Sequence, residues 1–224
     1  MTQEIMYEWI KFIPTTFFWI LLIISTVAYF VREKSNWSRF KQIFSFKRLA
    51  FSIVGFRLLY SVLLTFLQYK TWAGGGLGTF FLKQSLDKSI PIWIVHNFPW
   101  IFNSKHGYFI FYSIQHFWVS ATLSIFVAWL FYRFLMILKR YKERFFDEGE
   151  VELGFLCALV VGWPAFIIFV PMVFLFVVIV SIFRLAAFKE AYTTLGWPFI
   201  LSAFMTLIFA STILNITGLS VLSI

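Results

Sequence analysis

The sequence predicts an all-α, polytopic membrane helix bundle, and three observations predict it. Of 224 residues, 61% are hydrophobic and 13% charged, with a mean hydropathy of +0.85. A water-soluble domain of this length needs far more polar surface, whereas lipid-facing helices are free to be apolar all round. Long apolar runs, uncharged except for Arg57, fall at about 12–31, 49–69, 108–132, 153–183 and 195–214, each near or beyond the roughly 18 residues that let a helix cross a bilayer. The basic residues gather in the short connections between these runs.

Taken in order, the first run follows Glu4, Glu8 and Lys11, with no basic leader before it and no small-residue cleavage site after it, so it reads as a first membrane helix. The connection 32–48 carries Arg32, Lys34, Arg39, Lys41, Lys47 and Arg48 and sets Trp37, Phe40 and Phe44 on one helical face, the pattern of a helix lying flat on the inner leaflet. Residues 70–107 form a long aromatic connection with Trp72, Trp93 and Trp100, suited to the headgroup layer. The run 153–183 is too long for one crossing. Gly162-Trp163-Pro164 divides it into helices at about 151–162 and 165–185, because proline disfavours helix in the residue before it. The total is about six transmembrane helices in one integral membrane domain: helices 1–2 in 1–69, an outer loop at 70–107, and helices 3–6 in 108–224.

Lysine and arginine in short loops set orientation. The loop 32–48, the group Lys139, Arg140, Lys142 and Arg144, and the pair Arg184 and Lys189 fall on one side in this count. That side is expected to be cytoplasmic, with both termini extracytoplasmic and the protein multi-pass in the plasma membrane. The net charge of +9 then serves topology and attraction to anionic headgroups of the lipid bilayer. No basic stripe lies outside the membrane-flanking loops, so nucleic acid is not an expected partner. Cys157 stands alone, which gives no disulfide framework and no CxxC pair. His96, His106 and His116 are ten residues apart with no HExxH, and Gly74–Gly78 lacks a following Gly-Lys-Ser/Thr, so neither a metal nor a cofactor is expected.

Two features ask for chemistry. Asp147, Glu148, Glu150 and Glu152 place four of the ten acidic residues within six positions at the threshold of an apolar run. A carboxylate beside hydrocarbon is costly and tends toward a raised pKa, which is how a carboxyl becomes a proton donor or acceptor near neutrality. The structural alternative is that Asp147 is an N-cap with Glu150 as its capping-box partner. Arg57 lies about nine residues inside the second run, where an arginine either snorkels or seeks a carboxylate, with Glu33, Glu150 and Glu152 as candidates.

The last third of the chain resembles the C-terminal half of the prepilin peptidase family, including the preflagellin peptidases. The residues that carry it are Gly149-Glu150-Val151-Glu152-Leu153, Ala158-Leu159, Gly162-Trp163-Pro164 and Leu195-Gly196-Trp197-Pro198-Phe199, over about 75 residues. In that family a Gly-x-Gly-Asp-x-Lys-Leu motif opens a cytoplasm-facing helix and a Pro-Phe-Gly-Pro-Phe-like element opens the last one. Here Glu150 stands at the motif aspartate, Glu152 at the lysine and Asp147 at the first glycine, so the family's aspartates are not retained. Glu33 occupies the place of the other catalytic carboxylate after the first helix by topology alone. The resemblance implies a membrane endopeptidase in which Glu150 and Glu33 share a proton and activate water. Asp147, Glu148, Glu152 and Arg57 would then contact the substrate, a pilin-like precursor of a type IV pilus system. Two other readings stay open: a catalytically inactive membrane scaffold that binds such a precursor or another envelope protein, and a small transporter, which would need polar groups at the membrane midplane.

Overall fold

A twelve-residue helix with no polar face beyond its first turn has to be surrounded, and this one is. In the computed structural model, which describes residues 3–34, 45–86, 97–141, 146–189 and 194–222, the regular elements are all helical among the described residues. They are α1 (Gln3–Lys34), α2 (Phe46–Ala73), α3 (Gly76–Leu82), α4 (Pro99–Phe102), α5 (Gly107–Ser113), a π-helical turn Ile114–Trp118, α6 (Val119–Tyr141), α7 (Glu150–Val161), α8 (Phe166–Phe188) and α9 (Gly196–Ile216), followed by a 3-10 turn Leu219–Leu222. Most of the expected connection at 35–48 lies outside the described residues, and α2 takes up its end from Phe46.

Among the described residues, five helices are long and apolar enough to cross a membrane: Phe12–Val31 within α1, Phe46–Ala73, Gly107–Tyr141, Phe166–Ala187 and Gly196–Ile216. The chain is thus a multi-pass helical membrane protein. The sixth expected helix exists as α7, but twelve residues at 1.5 Å each give about 18 Å, short of a hydrocarbon core of about 30 Å.

The described chain forms two compact units. The larger comprises residues 1–54 and 124–223 and is built around α7, ten of whose twelve residues are buried. Leu153, Leu156 and Leu159 of α7 meet Leu22 of α1, Ile53 of α2, Phe169 of α8 and Phe199 of α9 in one core. Alternate faces of an amphipathic helix would leave half of these exposed; a helix without a polar face can only sit inside. At one end of α7 lie Tyr29 of α1 and the start of α9, which reach Glu150. At the other end the Trp163 N–H donates to Ser124 Oγ of α6 (2.9 Å) and its indole N–H to the Leu222 carbonyl (3.1 Å). The C-terminal part of α1 and the starts of α7 and α9 therefore meet at one end of this unit.

The smaller unit, residues 55–123, is held by aromatic contacts. Trp72 packs against Phe81, Phe109 and Tyr112 with ring centroids 5.0 to 5.8 Å apart, and Leu86 and Phe102 form a second small core. The expected aromatic connection is thus partly helical, in α3 and α4, and its chain is tied by Leu86 N–H to the Phe102 carbonyl and Tyr108 N–H to the Gln84 carbonyl. The π turn Ile114–Trp118 leaves the Phe117 carbonyl free to accept from Ser61 Oγ, 3.0 Å away.

Candidate functional site

Glu150 is the first residue of α7 and, at 1% exposure, the buried acid of the described chain. Its carboxylate has four donors. Oε1 accepts from the Tyr29 hydroxyl (2.9 Å) and the Gly196 N–H (2.8 Å); Oε2 accepts from the Asp147 N–H (3.0 Å) and the Leu195 N–H (3.2 Å). Three helices are joined through one side chain. The two N–H groups from 195 and 196 belong to the start of α9, where the first turn has no intrahelical acceptors and the helix end is positive. A carboxylate satisfies both conditions at once.

The local sequence explains how the acid reaches this place. Gly149 adopts φ 84°, a left-handed conformation that turns the chain into α7 and aims Glu150 inward. At position 196 a Cβ would collide with the Tyr29 ring, so only glycine allows α1 to lie against the α9 N-terminus. Trp197 then packs edge-on to Tyr29, with centroids 5.7 Å apart. Burial pushes the Glu150 carboxyl above the usual carboxylate range. The N–H of Asp147, the Tyr29 hydroxyl and the Gly196 N–H pull it back, and the neighbouring Asp147 charge adds to the rise.

The other anticipated residues are distributed around this centre. Asp147 and Glu148 are exposed, and Glu152 is half-buried. The capping box is half present: Glu150 reaches back to the Asp147 N–H, but the residue preceding the helix is Gly149, and no side chain caps it. The expected N-cap role of Asp147 is therefore corrected, because the left-handed turn at Gly149 starts the helix two residues later. Glu33 lies one turn beyond Tyr29 in α1, and its side chain is outside the described residues. Arg57 is half-buried in the α2 segment of the smaller unit. His106 Nδ1 pairs with the Leu82 carbonyl (2.7 Å), and His116 stacks on Tyr112 with Nδ1 at 3.1 Å from the Tyr112 carbonyl; His96 lies outside the described residues. Among the described residues no group of His, Cys, Asp and Glu is arranged to hold a metal ion.

Sequence reasoning found Glu150 but missed its partners Tyr29, Leu195 and Gly196. The one available signal was the second Gly-Trp-Pro, which marks the α9 start but does not say what it faces. Fold and site together define a multi-pass helical membrane protein with a buried carboxylate clasp. No family model, curated protein or solved structure matches this chain.

Proposed function

We propose that this protein is a prepilin-peptidase-like membrane scaffold that holds an envelope partner, with pilin-like precursors as the leading class, and does not cleave it. The observation that carries this reading is the saturation of Glu150: each oxygen accepts two hydrogen bonds, and the side chain is 1% exposed. A general base has to reach a water or a substrate proton at hydrogen-bonding distance. A carboxylate whose lone pairs all face backbone N–H groups and a phenol is instead suited to fixing helices. In this reading the basic connections face the cytoplasm by the positive-inside rule, and the exposed Asp147 and Glu148 meet a basic leader there.

A second reading has one observation in its favour. Burial raises the Glu150 pKa, the direction a carboxyl needs for proton transfer near neutrality, and the acid stands at the motif position of the peptidase resemblance. Reconstitution separates the two. Purified full-length protein in vesicles is incubated with a pilin-type precursor that carries a basic leader and an apolar helix. The scaffold reading expects intact precursor to co-purify with the protein. Shortening of the precursor by the wild type and not by a folded Glu150→Gln variant would replace it with the peptidase reading.

A further inference from the structure

Within the larger unit, α6 and α8 enclose a laterally open cavity of about 630 Å³. Leu130, Phe134 and Leu138 form one wall, Val170 and Val177 the other, and Phe199 of α9 lies at the floor. Leu130 and Phe134 are about half exposed, so the cavity opens sideways, where a multi-pass protein meets lipid. Its residues run from 127 to 138 on α6 and from 166 to 177 on α8. At 1.5 Å per residue that is about 16 Å, half of a hydrocarbon core of about 30 Å and thus the depth of one leaflet.

One end of this groove is cationic. Lys139 directly follows Leu138 in the last turn of α6. Arg184 lies seven residues beyond Val177, on the same face of α8, and exposed Lys189 ends that helix. An occupant that matches both parts has an apolar chain one leaflet long and an anionic head at the end marked by these cations. A membrane-crossing partner helix matches less well: it would need the full bilayer depth, and the apolar lining offers none of the polar groups that join helices in lipid.

We infer that the groove between α6 and α8 binds an acyl chain of an anionic phospholipid, with the headgroup phosphate held between Lys139 and Arg184. Basic pockets between transmembrane helices recognise such headgroups. The inference is independent of whether the protein cuts or only holds its partner.

Native mass spectrometry of the purified full-length protein in detergent tests it, with phosphatidylglycerol or phosphatidylcholine added at matched concentrations. Retention of phosphatidylglycerol should exceed that of phosphatidylcholine by more than tenfold. Substituting Lys139→Gln and Arg184→Gln should lower it by roughly fivefold per cation removed. Arg184→Gln alone gives the same reading if the double variant does not fold. Val177→Trp, which fills the groove without changing charge, should release both lipids. Lys83→Gln with Lys105→Gln, at exposed positions of the other unit, should change nothing; an equal loss there would reduce the effect to net charge and overturn the site. Retention indifferent to Val177→Trp, displacement by glycerol phosphate without a chain, or displacement by an apolar helical peptide regardless of the charge substitutions would each overturn it as well.

Discussion

The tripeptide Gly-Trp-Pro occurs twice, and the two copies do opposite work. At 162–164 it ends α7: Gly162 takes φ 66° and ψ 179°, a region essentially closed to other residues, and Trp163 and Pro164 carry the chain out of the helix. At 196–198 it begins α9: Gly196 is already helical, and Pro198 sits in the first turn, where its missing N–H costs nothing. The difference lies in what each copy faces. The first meets a hydroxyl and a carbonyl, Ser124 Oγ and the Leu222 oxygen; the second meets the Glu150 carboxylate and the Tyr29 ring. A proline motif therefore fixes a helix boundary, while the groups opposite it decide whether that boundary is a stop or a start.

The largest break in this comparison should come from the acid. Glu150→Ala strips the acceptor from four donors, three of them backbone N–H groups, and should cost about 3–5 kcal/mol, read as a large fall in the melting temperature of the detergent-solubilised protein. A change below about 1 kcal/mol would mean that the α9 start is held by something else. The pH dependence sharpens the point. Because burial raises the Glu150 pKa in the folded state, the native protein binds more protons than the unfolded chain between the usual carboxylate value and the raised one. The contribution of this group to stability is then greatest below that window, declines as pH rises through it, and is level above it. Glu150→Gln should flatten that decline; an unaltered profile would assign it to another carboxyl.

The two glycines come next. Gly196→Ala drives a methyl into the Tyr29 ring and should cost about 2–3 kcal/mol, an overpacking effect. Tyr29→Ala should relieve part of that clash although it removes a hydrogen bond, so the double variant is expected to be less destabilised than the sum of the two single ones. Gly162→Ala meets backbone strain at a left-handed φ and should cost about 1–2 kcal/mol, with no rescue from Tyr29→Ala. Equal rescue of both glycine variants would erase the distinction between start and stop.

Much of this was legible in the sequence. Apolar run length gave the long helices, and the Gly162-Trp163-Pro164 break placed α7 and α8 within a few residues of where they lie. Glu150 stood out because charge at an apolar threshold is costly. What it pairs with did not, since Tyr29 is 121 positions away and its ring in an apolar helix looks like any other core aromatic. The backbone N–H groups of Leu195 and Gly196 have no signature in the side-chain sequence at all. The count of crossings was unreadable for a related reason: α7 has a membrane-like composition at a length that only burial among other helices explains.

The smallest expected effect tests the far end of α7. Trp163 is partly buried, and its indole N–H donates to the Leu222 carbonyl at 3.1 Å, joining the α7 terminus to the turn that follows α9. Trp163→Phe keeps a ring but removes this donor, and a neutral hydrogen bond of this kind contributes roughly 1 kcal/mol. The backbone N–H of residue 163 still reaches Ser124 Oγ, so the α7 stop should persist and melting should fall by only a few degrees. Hydrogen exchange should quicken at 219–222 and remain unchanged at 195–199. The reverse pattern would mean that the two ends of α7 are not independent, and that the stop copy of the tripeptide helps hold the start copy in place.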